Sequence, residues 1–249
     1  MSIIRVSQER WMQAQCWERS LWEGIEKKRG WKRVIWPIVR PILILLKLRE
    51  PVGDDWNYWW AMQFENYTFL PREVDNYIEL GCGPYTNTRL ILKICKAKHV
   101  VCSDPLIRDY LRLRHTWVSR QYHSHSILVD DHPIEQCPYA ANYFDVVVMI
   151  NVLDHVMDAQ LCLATATRIT KPGGLLVIGQ DLTNEEDLKK IPFDIGHPIR
   201  LRLEDVESQL IGFSPVLRKV LPRAASRNPD AHYATLIFAG RKDTYLARK

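Results

Sequence analysis

The stretch from Asp75 to Pro84, Asp-Asn-Tyr-Ile-Glu-Leu-Gly-Cys-Gly-Pro, constrains the fold of this chain more than any other. A short apolar run reaches an acidic residue, Glu79, breaks into Gly81-Cys82-Gly83 and gives way to helix-like sequence. This is the pattern of a buried strand that delivers its C-terminal end to a ligand. Glycines there remove the Cβ atoms that would keep backbone N–H groups away from it. A lone Gly-x-Gly also fits an ordinary tight turn, so the spacing of the residues downstream of Gly83 decides between the two.

Downstream of the turn, helical and extended patterns alternate. Residues 87–96 read as a helix, 99–103 as a strand ending at Asp104-Pro105, 106–118 as a helix and 126–129 as a strand ending at Asp130-Asp131. Residues 144–150 make a continuous β-branched run, as a strand buried on both faces should. A helix over 158–170, a Lys171-Pro-Gly-Gly174 turn and a strand over 175–179 come next. A helix over 203–211 and strands over 213–220 and 232–239, around a loop with prolines and arginines, close the chain. The alternation predicts an α/β fold with a doubly wound, seven-stranded, mostly parallel sheet of Rossmann-like type. The ligand of such a sheet lies beyond the C-terminal strand ends. At 249 residues the chain has room for this domain over 74–249 and a helical, aromatic-rich extension over 1–73.

Asp104 follows Gly81 by 23 residues, at the end of the second strand, where a carboxylate can accept hydrogen bonds from both hydroxyls of a ribose. No third glycine completes a dinucleotide fingerprint, since Gly83 is followed by Pro84-Tyr85-Thr86. An acid such as Glu79 ahead of the turn would repel a pyrophosphate but suits a ligand with an ammonium group. Ribose, adenine and an amino-acid ammonium together describe S-adenosylmethionine.

The chain also resembles the class I S-adenosylmethionine-dependent methyltransferases, in the type 11 branch that includes ubiquinone/menaquinone-biosynthesis-like enzymes. The resemblance rests on Tyr77–Pro84, Val101–Leu106, Ile134–Tyr139 with Tyr143–Val148, Asn151–Val156 and Arg168–Gly174, in that order, and spans about 74–240. It implies that Glu79, Gly81 and Gly83 hold the methionine portion. Asp104 would bind the ribose, with Pro105 or Leu106 against the adenine, Ile134 and Glu135 at the adenine edge and Asn151 beside the sulfonium. Pro133 stands where many relatives carry an aspartate, which leaves Asp130 or Asp131 as a substitute adenine contact.

Methyl transfer from a sulfonium is an in-line displacement on carbon, governed by alignment and exclusion of water. An oxygen acceptor also benefits from a base, and the candidates near strand ends are His197 first and His155 second, then Asp181. A structural hydrogen bond would explain each histidine equally well. His123, His125, Asp130, Asp131 and His132 match no strong metal-ligand spacing, so no metal is expected. The segment 56–67 packs six aromatics into twelve residues. It reads as a cover for the sheet, as a lid in which Trp59, Trp60, Phe64 and Tyr67 grip the acceptor, or as both. No Asn/Asp-Pro-Pro-Tyr segment follows the fourth strand and no nucleic-acid-binding module is present. A small-molecule, glycan or lipid-linked acceptor is therefore expected, most simply an oxygen of a sugar, glycolipid intermediate or secondary metabolite. A scaffold subunit that binds the cofactor without catalysis is the competing class.

Six scattered cysteines without a Cys-x-x-Cys pair, and a start that lacks signal-peptide layout, point to a cytoplasmic protein. Net charge is a mild +5. Ahead of the sheet, Trp11, Ala14, Trp17, Leu21 and Ile25 recur at helical spacing. Residues 27–49 then carry eight basic residues, no acidic one and an aliphatic run too short to span a bilayer. This segment fits a helix packed on the domain or on a second copy of the chain in a homodimer, and also fits a peripheral membrane contact. If it docks on membranes, reversing the charges of Arg29, Lys32 and Arg33 should lower pelleting with anionic liposomes. A wild-type protein that does not pellet would end the membrane reading.

Overall fold

The computed structural model describes residues 2–25, 55–113 and 116–244. The basic and aliphatic segment 27–49 lies outside them, and with it the membrane and dimer expectations. Among the described residues no helix is long and apolar enough to cross a membrane.

Seven strands form one sheet in the order β3-β2-β1-β4-β5-β7-β6. They are β1 (Glu73–Leu80), β2 (Lys96–Ser103), β3 (Leu128–Asp130), β4 (Phe144–Ile150), β5 (Thr170–Leu182), β6 (Phe213–Pro222) and β7 (Ala234–Lys242). All pairings are parallel except those of β7 with β5 and β6. The order reverses between β1 and β4, so their C-terminal ends diverge and open a crevice.

The period of two along each strand divides the core. Val147 and Met149 of β4 join Ile78, Leu176 and Ile178 on one face, covered by Leu163 and Ala166 of α6 (Ala159–Ile169). Val146 and Val148 join Tyr77 and Val177 on the other, covered by Trp60 of α2 (Asp55–Gln63) and by Phe64 and Tyr67 just after it. The aromatic segment is thus mainly sheet cover. Phe64 and Tyr67 are buried at 0% and 1% exposure, with their rings stacked 5.5 Å apart.

Several elements are shorter or longer than the sequence pattern suggests. The first crossover helix is only α3 (Thr88–Ile91), and β2 begins three residues before His99. The helix expected over 106–118 is two, α4 (Ile107–Arg112) and α5 (Trp117–His123), because the Thr116 side chain accepts from Ser119 N and caps a new start. Lys171–Gly174 is not a separate turn. It is an irregular part of β5, where Phe144 pairs with Thr170 but Val146 pairs with Leu175, and Gly173 sits at φ +77°. A short helix, α7 (Glu185–Lys190), forms where apolar periodicity is absent, started by a capping box between Asn184 and Asp187. The last is α8 (Leu203–Glu207), shorter than the expected 203–211.

The N-terminal residues are part of the same body. Ile3 bridges to Arg200 and Arg5 to Asp158, and helix α1 then covers 8–25. On the opposite side, Gly179 of β5 lies directly under Trp60. A Cβ there would stand 2.6 Å from the indole and 3.2 Å from Phe64. Gly179→Ala should therefore destabilise the fold by about 1–3 kcal/mol through overpacking, read from the urea midpoint. An unchanged midpoint would mean that α2 does not bear on β5 as described.

Candidate active site

The loop after β1 is built by one buried carboxylate. Glu79 Oε1 accepts from Asn87 N and Nδ2, both at 3.1 Å, and Oε2 accepts from Thr88 N at 2.8 Å, Thr88 Oγ1 at 2.5 Å and Thr86 Oγ1. Tyr77 and Tyr67 stand behind this knot through Thr88 Oγ1 and Asn87 Oδ1. With its lone pairs so engaged, Glu79 shapes the loop from behind and is not in the cavity wall. This corrects the direct ligand contact expected of its carboxylate. The chain in front turns through Gly81 at φ +67° and Gly83 at φ +57°. At Gly81 a Cβ would strike Val152 at 2.0 Å, whereas at Gly83 no atom lies within 4 Å of that point. Close packing explains the first glycine and an open cradle the second.

Gly83 N donates to Asp104 Oδ2 at 3.0 Å, and Leu106 N donates to Oδ1 at 2.9 Å. These bonds fix the carboxylate at the end of β2, and each oxygen keeps a lone pair. Burial pushes the Asp104 carboxyl up to about 7, and the negative Glu18 on α1 adds to this. Leu106 contributes its backbone only and does not line the cavity.

Gly81, Gly83, Asp104, Pro105, Ile134, Glu135, Asn151, His155, His197 and Trp60 all face one cavity of about 350 Å³ at the β1/β4 crevice. Glu135 has a second duty, since its Oε1 accepts from Met157 N and Asp158 N ahead of α6. Asn151 adopts a left-handed φ of +56°, donates its N–H to Gly179 O and accepts from Arg227 Nη2 at 2.9 Å. Pro133 is in the wall. The suggested substitutes for adenine contact are not: Asp130 is paired with His132 at 2.6 Å and Asp131 with Arg108 at 2.8 Å.

Three acceptor-gripping candidates, Trp59, Phe64 and Tyr67, lie outside the cavity, and only Trp60 reaches it. Asp181 is also excluded. Its buried carboxylate accepts from Arg227 Nε at 2.9 Å and Thr235 Oγ1 at 2.7 Å, which leaves it anchoring Arg227.

The roof is α1. Trp11 Nε1 and Gln15 Nε2 donate to His155 O, Arg10 Nη1 donates to Ile195 O, and Trp17 lies so close to Gly196 that a Cβ there would clash at 2.4 Å. Glu18 points inward and accepts from Tyr110 OH at 3.1 Å. The apolar spacing located this helix and its inward face, since Trp11, Trp17, Leu21 and Ile25 line the cavity, but it missed the polar Gln15 and Glu18 on the same face. Arg227 was equally hidden in the β6–β7 loop, with no sequence signal beyond that loop's arginines.

His155 and His197 meet in the cavity wall, ring centroids 4.6 Å apart, flanking buried Asp154. His197 Nδ1 pairs with Asp194 Oδ2 at 2.9 Å. Burial works against the His197 imidazolium, but the Asp194 hydrogen bond and the charge of Asp154 outweigh it and raise its pKa. For Asp154, burial alone would raise the carboxyl, and the two imidazoles, followed by the Gln180 amide, hold it below the usual carboxylate range instead.

A family model described as a methyltransferase domain matches residues 78–178. No curated protein matches the chain. Among solved structures, the N-methyltransferase NodS from Bradyrhizobium japonicum in complex with S-adenosyl-L-homocysteine has 19% identity and a TM-score of 0.53, over 74% of this chain and 84% of that one. Geranyl diphosphate methyltransferase in complex with SAM has 9% identity and a TM-score of 0.58, over 75% and 85%. The [4+2]-cyclase SpnF has 16% identity and a TM-score of 0.56, over 75% and 80%. The chain therefore carries a domain with the fold of the class I S-adenosylmethionine-dependent methyltransferases.

Proposed function

We propose that this protein transfers a methyl group from S-adenosylmethionine to an oxygen of a small or medium-sized acceptor. The observation that carries the reading is the convergence of the Gly83 cradle, the Asp104 carboxylate and two histidines on one roofed cavity. Gly83 leaves room for a ligand against the loop, and Asp104 offers acceptor lone pairs to a ribose. Pro105 and Ile134 supply apolar contact for a base, and Asn151, held by Arg227, lines the same cavity. S-adenosylmethionine supplies a methyl carbon activated by its sulfonium. The residues of the chain orient the two reactants and exclude water, as an in-line displacement requires.

The acceptor end in this reading is His155 and His197 with the indoles of Trp11, which donates to His155 O, and Trp17, 6.4 Å from the His197 ring, while Trp60 lines the same cavity. An aromatic wall with polar groups at one end suits a sugar hydroxyl or a ring-borne hydroxyl of a glycolipid intermediate or secondary metabolite. The extension over 1–73 divides its labour in this reading. Its described first helix closes the cavity and selects the acceptor, while its aromatic segment braces the sheet.

The fold alone hosts more than one reaction, as the similarity to a cyclase illustrates. Incubation with methyl-tritiated S-adenosylmethionine and cell extract should label a small molecule. Cofactor binding without any label transfer would favour the scaffold reading. His197→Ala should lower turnover by about 10²-fold and leave affinity for S-adenosylhomocysteine within about twofold. Unchanged turnover would remove His197 from the acceptor end.

Asp104 makes a separate prediction. Its ionised form accepts from ribose, so below its pKa of about 7 a proton competes with binding. Affinity for S-adenosylhomocysteine should weaken roughly tenfold from about pH 8 to about pH 6, a factor of ten per unit below the pKa. Asp104→Asn should bind weakly and lose this dependence. Tight binding by that variant would contradict the ribose assignment.

A further inference from the structure

Asp154 is among the most buried carboxylates of the domain at 5% exposure, yet neither of its oxygens has a hydrogen-bond partner among the described residues. Gln180 gives it little help: its Nε2 donates one hydrogen to Asp181 O and its Oε1 accepts from Leu153 N, so a single amide hydrogen is left to soften the charge. A buried carboxylate without donors is costly unless something positive meets it. Two imidazoles face it instead. His155 Nε2 lies 4.0 Å from Oδ1, and His197 Nε2 lies 4.0 Å from Oδ2. That is too long for hydrogen bonds. The three donor atoms nevertheless lie within 4.8 Å of one another, each ring turned with its Nε2 inward.

The far nitrogens of both rings also face carboxylates. His197 Nδ1 is held by Asp194 at 2.9 Å, and Asp194 is steadied by the N–H groups of Gly196 and His197 and by Arg200 at 3.7 Å. His155 Nδ1 lies 3.5 Å from Glu18 Oε2 on α1. For His197 the carboxylate on Nδ1 keeps the proton there and leaves the Nε2 lone pair free, which is how histidines are oriented around a metal. His155 Nδ1 has Glu18 nearby but no hydrogen-bond partner among the described residues. Donors at about 2.0–2.2 Å from a shared ion stand about 3–3.5 Å apart, so an approach of about 1–2 Å, shared between side chains, would close this set.

We propose that Asp154, His155 and His197 bind a divalent first-row transition-metal ion at the acceptor end of the cavity. Two imidazoles and one carboxylate suit zinc, manganese, iron or cobalt better than calcium or magnesium, which favour all-oxygen shells. Both histidines line the cavity, so the coordination positions the protein leaves open face the space for the acceptor. There the ion would receive the acceptor hydroxyl and lower its pKa. The hydroxyl proton leaves to water and the oxygen's electron pair forms the bond to the methyl carbon. The carbon–sulfur pair returns to sulfur as a thioether. The imidazoles then act as ligands, not as proton acceptors. This use of the ion rests on the methyl-transfer reading, whereas its binding does not.

The test uses tag-free, full-length protein stripped with chelator and titrated with cobalt(II) chloride, with the visible d–d band as readout. Affinity for S-adenosylhomocysteine is measured in parallel by calorimetry. One equivalent of cobalt should bind with nitrogen-ligand absorption and be displaced by zinc. Asp154→Asn, His155→Gln and His197→Gln should each weaken binding by at least tenfold, and Asp194→Asn by about 10–100-fold through its ligand. His155→Gln, at a less buried side chain than Asp154, covers the case in which the Asp154 variant does not fold, and retained S-adenosylhomocysteine binding certifies each variant. No cobalt, zinc or manganese binding by protein that binds S-adenosylhomocysteine would overturn the metal site and leave the methyltransferase reading standing. Cobalt binding indifferent to all three ligand variants would overturn it equally. Cobalt binding by protein with no affinity for S-adenosylhomocysteine would support the site and sink the methyltransferase reading.

Discussion

The cavity depends first on Glu79. A carboxylate at 1% exposure survives in the core only if its lone pairs are met, and here five donors from Thr86, Asn87 and Thr88 meet them. Those donors belong to the residues just past the glycine turn, so satisfying the charge dictates the path of the loop. The loop in turn points Gly83 N at Asp104, and Asp104 is thereby fixed across the end of the neighbouring strand. One buried charge thus organises the two strand ends that face the cavity without entering its wall.

Around that centre the two N-terminal helical segments have opposite tasks. The segment starting with α2 supplies rings to the sheet face, with Trp60 over Gly179 and Tyr67 behind Asn87, and Asn57 Nδ2 donates to Tyr85 O on the loop itself. Helix α1 lies across the opening, hung on His155 O, on Ile195 O and on the close approach of Trp17 to Gly196. It brings a charge, Glu18, toward both Asp104 and His155, so the roof acts electrostatically on both ends of the cavity. Aromatic density in a sequence locates packing. It does not tell packing against a sheet from packing against a ligand.

Much of the fold was legible because strand and helix periodicities are local. The run Val146–Ile150 is apolar because it is buried on both faces, and the alternation of strand and helix patterns carries the seven-stranded, mostly parallel sheet, whereas its strand order is seen only in the fold. The places where periodicity misled are those where a single polar contact overrides it, such as the Thr116 cap that divides one expected helix into two. Among site residues, Gly81, Gly83, Asp104, Pro105, Ile134, Glu135, Asn151 and His155 reach one cavity because they follow strand ends that can be counted along a chain, and His197 joins them from the loop after α7. Phe64, Tyr67 and Asp181 do not, because whether a polar or aromatic group faces a ligand or a neighbouring side chain depends on partners distant in sequence. Asp181 is claimed by Arg227, 46 residues away.

By itself, then, the amino-acid sequence determined the sheet, the glycine turn and the acid at the next strand end. Each is encoded in a few neighbouring residues and in the preference of the backbone for two periods. Only the tertiary structure decided that Glu79 stands behind the loop, that α1 and not the aromatic segment roofs the cavity, and that His155 and His197 converge on the buried Asp154 carboxylate. His197 and Asp154 are 43 positions apart, and nothing local specifies their meeting. Their meeting results from Ile199 N donating to Asp154 O and from Arg10 of α1 holding the 193–197 loop against the strand ends.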